Sequence, residues 1–242
     1  MKQFIDIHCH ILPGVDDGSS SMDETIAMLA CAQKDGIMAM IATPHYHLGR
    51  KVCDFDRIEQ TFFRVSEEIR QRNLSLQLYL GNEIFYSDTA LEDIDCNRAH
   101  TMNRTRYVLI EFHPTHSFRE IRHGVHATIE AGYIPILAHA ERYQALAKDI
   151  ERVEELVDMG CYIQLNAADI MGNDGLHTKM FCKRLLQEEL VHFIASDAHR
   201  ATGSRVPQLK KCAAYIEKKY GTEYANAIFY QNPVCVLEDK YI

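Results

Sequence analysis

The chain has 242 residues, 47% of them hydrophobic and 25% charged, with a formal net charge of −8. That length and balance suit a sizeable globular core, and the acidic surface excludes a nucleic-acid binder that works by bulk electrostatic attraction. The opening MKQFIDIHCH lacks the tripartite pattern of a secretory leader, and no apolar run approaches the roughly eighteen residues of a membrane span.

The eight cysteines are scattered without CxxC spacing, so a reduced, cytoplasmic protein with no membrane span is expected. Cys31, inside the apolar AMLACA, reads as a buried free thiol.

In chain order, FIDIH (4–8) is the first predicted strand and ends in His8-Cys9-His10. Ser21-Met22-Asp23-Glu24 has the spacing of a capping box, which predicts a helix running to Asp35-Gly36. IMAMIAT (37–43) is the second strand and runs into Thr43-Pro44-His45. Asp54 opens a helix that carries Phe62, Val65 and Ile69, and Phe62, Phe63 and the Met-rich IMAM are assigned to the core. LQLYLGNE (76–83) ends in Asn82-Glu83, and YVLIEF (107–112) carries Glu111. After Gly132 comes YIPILAH (133–139), ending in His139, and after Gly160 comes CYIQLN (161–166). VHFIAS (191–196) is followed by Ser196-Asp197-Ala198-His199, and QLKKCAAYIEKKYG plus a shorter helix form the tail.

Most of these runs lack polar alternation, as strands covered on both faces do. Seven strands alternating with helices, without a Pro/Gly/Ser-rich linker or an internal repeat, predict one α/β domain over 1–242, built as a parallel barrel or a doubly wound sheet.

Residues that can ligate metal recur at one end of these strands. His8, His10, His45, Glu83, Glu111, His139, Asp197 and His199 stand at C-terminal strand ends, the rim where parallel α/β barrels carry their active sites. In extended chain, residues two apart share a side; His8/His10 and Asp197/His199 can each reach one cluster, and Cys9 turns into the barrel wall. A single HxH is a weak motif. Its recurrence over six strands carries the weight, because burying so many imidazoles and carboxylates without a cation is costly.

Imidazole and carboxylate without thiolate suit Mn²⁺, Fe²⁺ or Zn²⁺. Four carboxylates, Asp17, Glu83, Glu111 and Asp197, can compensate two or three divalent ions, and such a cluster suits phosphate-ester hydrolysis. Arg142 in AHAERY and Arg205 in DAHRATGSR are candidates for gripping phosphate oxygens. His113, His116, His123 and His126 read as exposed loop or helix residues. No cysteine has an arginine six positions on, which argues against Cys-x5-Arg phosphate-loop chemistry and leaves metal-activated hydroxide as the expected nucleophile.

HCHILPGVDDGS, ATPHYHLGR, GNEIF, AHAERY and SDAH, in this order between His8 and Arg205, resemble the polymerase-and-histidinol-phosphatase (PHP) superfamily. Within it they resemble the CpsB/CapC-type bacterial protein-tyrosine phosphatases. The resemblance implies a distorted (β/α)7 TIM-like barrel and three divalent ions, manganese favoured. It also implies hydrolysis of phosphotyrosine on the tyrosine-rich tail of a bacterial tyrosine kinase of capsular or exopolysaccharide synthesis. Carried onto this chain, it implies as metal ligands His8, His10, Asp17, His45, Glu83, Glu111, His139, Asp197 and His199. Asp16 competes with Asp17, which is preferred because the superfamily's aspartate precedes a glycine, here Gly18.

Arg142 matches the arginine of the family's HPERY motif and Arg205 the arginine after DAH, both in catalytic roles. Two departures stand out: Ala140 replaces the proline of HPERY, and EFHPTH extends the family's short acidic EF motif. Among the alternatives, a small-molecule phosphatase acting on a histidinol-phosphate-like substrate stays open. A phosphodiesterase acting on nucleic acid is disfavoured by the acidic charge, and amidohydrolase-type zinc chemistry by the absence of its bridging lysine. A non-catalytic metal-binding docking module is disfavoured by the complete ligand set.

Overall fold

Each predicted strand run forms a strand in the computed structural model, which describes residues 3–47 and 54–242; the Leu48-Gly49-Arg50 end of the ATPHYHLGR motif lies outside the described residues. The strands are β1 (Phe4–Cys9), β2 (Ile37–Ala42), β3 (His45–Tyr46), β4 (Gln77–Leu80), β5 (Glu83–Phe85), β6 (Tyr107–Glu111), β7 (Ile134–Leu137), β8 (Tyr162–Asn166) and β9 (Phe193–Ala195). All their pairings are parallel. Nine segments arise from seven predicted strands because two are interrupted, at Thr43-Pro44 and at Gly81-Asn82. Pro44 has no N–H for a ladder. The break still satisfies its backbone: Gly81 N–H donates to the Ala42 carbonyl (2.8 Å), and the Asn82 side chain donates to that of Pro44 (2.7 Å).

The interruptions let the sheet curl. β2 pairs with β1 and β4, whereas β3 pairs with β5, and β5 through β9 follow in sequence. The ring closes where Cys9 bridges Ala198. There Asp197 N–H donates to the His8 carbonyl (2.9 Å) and His10 N–H to that of Ala198 (2.8 Å). The result is the distorted seven-position parallel barrel that the motifs imply.

Two apolar clusters divide the barrel wall. One holds Ile5, Ile7, Ala39, Ile41, Tyr107, Leu109, Ile136 and Phe193, the barrel interior. The other holds the alternate strand residues, such as Val108, Ile110, Leu137 and Ile194, together with the helix residues Met28, Leu29, Val65, Ile121 and Leu185. Strict alternation from Ile5 and Ile7 would turn Cys9, not His8 and His10, inward. The β1–β2 register shifts between Asp6 and Cys9. This irregularity reverses the parity, as bulges beside active sites do, and leaves Cys9 in the outer cluster, its thiol donating to the Ile41 carbonyl (3.3 Å).

The interior cluster is capped at the N-terminal mouth by Tyr230, Val234, Val236 and Leu237 of the C-terminal segment. Tyr107 O–H donates to the Lys240 carbonyl (2.6 Å), and Arg106 pairs with Asp239 (3.1 Å) to hold it there.

Helix boundaries largely follow the caps. Ser21 accepts from Glu24 N–H and the helix Met22–Asp35 stops at Gly36 (φ 99°), while Asp54 accepts from Arg57 N–H to start Phe55–Gln71. Three expectations need correction. The Ser21 capping box is one-sided, since the Glu24 carboxylate turns to Ser20 N–H (2.9 Å) instead; the reciprocal box is at Ser117/Glu120. Phe63 is 60% exposed and outside the core, because the buried stripe of its helix runs through Ile58, Val65 and Ile69. Cys31 is only half-buried.

Candidate metal centre

The loop after β1 shows how the sequence builds this rim. Asp16, Asp17 and Gly18 fold back over His10, with Ser19 N–H donating to the His10 carbonyl (3.0 Å). A Cβ at Gly18 would lie 2.2 Å from that carbonyl oxygen, so only glycine fits. The turn places the two aspartates differently. Asp16 Oδ2 lies 2.7 Å from His10 Nδ1 and accepts from His45 N–H (3.1 Å). Asp17, with a 66% exposed side chain, points Oδ1 at Nε2 of His45 (3.3 Å) and of His199 (3.4 Å). Asp17 therefore joins the cluster directly, and Asp16 acts on it through His10.

The other residues converge from different strands. His8 Nε2 and His10 Nε2 are 3.2 Å apart, and Glu83 Oε2 is 3.3 Å from each. Asp197 Oδ1 lies 3.6 Å from His8 Nε2 and 3.5 Å from His10 Nε2. Glu83 also reaches His45 Nδ1 (2.9 Å) and His139 Nε2 (2.7 Å), and Glu111 lies 3.4 Å and 3.5 Å from the same two nitrogens.

Among the described residues, three overlapping groups each present ligand atoms close enough for one cation: His10, Asp17, His45 and His199; His8, His10 and Asp197; and His45, Glu83 and Glu111. His139 adjoins the third through Glu83. All nine residues predicted as ligands are thus brought to one place. His139 (φ 34°) and Asp197 (φ 50°) are held in the left-handed region, a strained backbone of the kind found at functional sites.

Protons can be assigned by elimination. Gln164 Oε1 accepts from His139 N–H (2.9 Å), and its amide nitrogen donates to Asn166 Oδ1 (2.9 Å), which fixes the amide. The same Oε1 lies 3.0 Å from His8 Nδ1. That nitrogen must donate, and His8 Nε2 is left with a lone pair. His10 Nδ1 donates to Asp16, so the His10 Nε2 that faces this lone pair is the ring's remaining position for a proton or a metal. The two Nε2 atoms face each other at 3.2 Å with carboxylate oxygens around them, an arrangement that a proton on His10 satisfies in the ion-free protein and that a divalent cation converts into ligation. His199 repeats the pattern: Nδ1 donates to the Asp197 carbonyl (3.0 Å), and the buried Nε2 faces only the Asp17 carboxylate, at 3.4 Å. The donor set fits a metal cluster.

Electrostatics agree. Burial opposes ionisation of Glu83, yet the surrounding imidazoles, His8 and His45 foremost, hold its carboxyl well below the usual range. Asp197 is likewise lowered by His8, His10 and Arg205 against its burial. The carboxylates are accordingly charged and ready to ligate. Burial alone would lower His10 and His139, but Asp16 holds the former up to about 9, and Glu111 with Glu83 the latter up to about 10.

Arg142 and Arg205 approach Asp197 from its two oxygens, at 3.1 Å and 2.9 Å. A recess of about 170 Å³ lies between them, lined also by Asn166 and Ser196. Ala140, in place of the HPERY proline, is fully buried and begins a short 3₁₀ turn in which Arg142 N–H donates to the His139 carbonyl (2.9 Å).

Sequence reasoning missed the residues that position the ligands. Asp6, fully buried, accepts from Ser196 O–H (2.5 Å) and N–H (3.0 Å) and so ties the β1 irregularity to the loop bearing Asp197. Asn166 Nδ2 donates to Asp197 Oδ2 (3.0 Å), and buried Asp169 pairs with Arg142 (3.3 Å). A signal existed: Asp6, Gln164 and Asn166 are polar residues inside otherwise apolar strand runs.

Residues 4–238 match the family described as Capsular polysaccharide synthesis, CpsB/CapC. The chain is similar to the tyrosine-protein phosphatase CpsB of Streptococcus pneumoniae, 36% identical over 243 residues that span 98% of this chain and 100% of that protein. It is similar also to the tyrosine-protein phosphatase YwqE of Bacillus subtilis (strain 168), 31% identical over 219 residues, 90% of this chain and 86% of that one. A solved structure from work on YwqE and CpsB, described as unique metal-dependent tyrosine phosphatases, superposes with a TM-score of 0.91 at 30% identity, covering 98% of this chain and 96% of that one. A phosphotriesterase homology protein from Escherichia coli, with TM-score 0.61 at 11% identity over 96% of this chain and 97% of that one, shares the fold alone.

Proposed function

The chain belongs to the CpsB/CapC family, and from that premise we propose that residues 1–242 act as one metal-dependent protein-tyrosine phosphatase domain. Its substrate in this reading is phosphotyrosine on a protein, the tyrosine-rich tail of a bacterial tyrosine kinase of capsule or exopolysaccharide synthesis, and its compartment the cytoplasm. Among the described residues no helix is long and apolar enough to cross a membrane. The observation that carries the proposal is the pair of Nε2 atoms of His8 and His10, 3.2 Å apart and ringed by ionised Glu83 and Asp197.

In this mechanism His8, His10, Asp17, His45, Glu83, Glu111, His139, Asp197 and His199 hold two or three divalent ions, with Mn²⁺ preferred by the hard-to-borderline donor set. Bound ions supply Lewis-acid charge for the phosphoryl oxygens and acidify the attacking water. Gln164 and Asp16 fix the tautomers of His8 and His10, so that both present Nε2 inward. Arg142 and Arg205, on either side of the recess, grip phosphoryl oxygens whose charge grows during transfer. Asp169 braces Arg142 from behind, and Asn166 holds Asp197.

The test is metal quantification on purified protein together with hydrolysis of a phosphotyrosine peptide. Turnover should vanish with a chelator, return best with Mn²⁺, and survive thiol alkylation, since buried Cys9, Cys161 and Cys212 have thiols raised by burial. Turnover that resists chelation but not alkylation would overturn the proposal. Faster hydrolysis of histidinol phosphate than of the peptide would move the substrate assignment to small molecules.

A further inference from the structure

The side chains just outside the ligand row are aromatic, and the strand register explains why. His45 pairs with Glu83 between β3 and β5, and Phe85 pairs with Glu111 between β5 and β6. Residues two apart on a strand share a side, so His47 and Phe85 continue, one step nearer the rim, the faces that carry His45 and Glu83. Their rings stack at 4.3 Å between centroids and 26° between planes. His116, from the EFHPTH extension, meets Phe85 edge-on at 6.2 Å. Phe112, 2% exposed, packs beside His116 (6.1 Å), and its seat depends on Gly124, where a Cβ would lie 2.6 Å from the Phe112 ring. Phe85 itself is half-buried and lines an open cavity of about 410 Å³, shared with Asp17, His45 and Glu111.

We infer that Phe85, backed by His47 and the EFHPTH segment, receives the phenyl ring of the substrate and makes the site selective for aryl over alkyl phosphate monoesters. This rests on the phosphatase reading above. A phosphoryl group on the ligand row directs its ester oxygen outward into the cavity. A ring attached directly to that oxygen meets the aromatic row at stacking or edge-to-face range. The phosphate of a phosphoserine follows a single methylene, so no flat group reaches the row and the peptide backbone itself would have to enter the cavity. The EFHPTH segment supplies, in His116, the ring behind Phe85.

The test is calorimetric titration of Mn²⁺-loaded protein with phenylphosphonate and methylphosphonate, which share a non-hydrolysable head and differ in the ring. Wild type should bind the phenyl compound ~10–100-fold more tightly, the range expected for burying and stacking one ring. Phe85→Ala should remove most of that ratio while methylphosphonate affinity and metal content stay unchanged. Phe85→Leu keeps apolar bulk, which protects the fold, and should still lower the ratio at least ~3-fold; Phe85→Tyr should preserve it. An unchanged ratio in Phe85→Leu, or no preference for the ring in wild type, overturns the inference. So does a parallel loss of both phosphonates and of metal, since Phe85 would then support the ligands and not the ring. Failure of the phosphatase reading shows separately, as wild-type protein that holds metal but leaves a phosphotyrosine peptide intact.

Discussion

The two mouths of the barrel obey opposite rules. At the N-terminal mouth, Tyr230, Val234, Val236 and Leu237 cover an apolar interior, and the polar groups at the edge are paired, as Tyr107 with Lys240 and Asn103 with Leu237. At the C-terminal mouth, imidazole nitrogens crowd one another, His199 Nε2 has only Asp17 at 3.4 Å, and two ligand residues adopt strained backbone. One end completes the fold from the chain alone. The other withholds its interactions for a ligand, at a stability cost that the sealed end offsets.

Breaking the open end should have the largest effect. His8→Ala and Asp197→Ala should lose metal and turnover together, by more than the ~100-fold of an outer-shell loss. Measured without metal, Asp197→Ala should unfold below the wild-type temperature, because Arg142, Arg205 and Asn166 lose the buried carboxylate they share. A metal-free Asp197→Ala protein as stable as wild type would show that those pairs do not hold the fold.

The arginines come next. Arg142→Ala and Arg205→Ala should keep their metal and lower kcat/KM on the order of 10²–10³-fold, as for one oxyanion-hole donor, with lysine recovering little. Wild-type rates on a phosphotyrosine peptide in both variants would leave phosphate binding to the metals.

Positioning residues should cost less. Asp16→Asn weakens the partner that directs His10 Nε2 inward and should reduce metal affinity ~10–100-fold. Competition against a chromogenic chelator measures this, and unchanged affinity would show that Asp16 neither ligates metal nor orients His10 for it.

The sealed end offers the smallest effect, a pH dependence. His192 accepts from Ile163 N–H (3.1 Å) beside the C-terminal segment, and burial pushes it down from 6.5 to about 4. Between those values the unfolded chain binds a proton that the native state refuses. Its contribution to stability is therefore full above pH 6.5 and declines as pH falls toward 4. Denaturant titrations of metal-free His192→Gln should show a shallower acid loss than wild type; identical slopes would exclude His192 from the acid response.

Only half of the contrast between the mouths is legible in the sequence. The ligand rim could be read because strands buried on both faces leave near-continuous apolar runs, and histidines and carboxylates at their ends stand out against them. The reversal of parity in β1 could not, since it depends on pairing with β2 and on Asp6 binding a loop at the far end of the sequence. Gln164 and Asn166 looked like ordinary strand polars until closure put them against His8 and Asp197. Hydrophobicity alone assigns Phe63 to the core, whereas the helical period of Ile58, Val65 and Ile69 turns it outward.

The seam between β9 and β1 also sets a timetable. Asp6 and Ser196 are 190 residues apart, and the bonds that close the ring form across that separation. Contacts so distant along the chain form late in folding. During synthesis, His8 and His10 emerge long before Asp197 and His199, and until β9 arrives β1 presents an unpaired edge bearing Asp6 and both histidines. Polar and charged groups on a waiting edge discourage it from pairing with a neighbouring nascent chain. Metal capture by the two groups that use Asp197 or His199 then follows ring closure, and a nascent chain arrested before β9 has a waiting edge and at most the His45, Glu83 and Glu111 group.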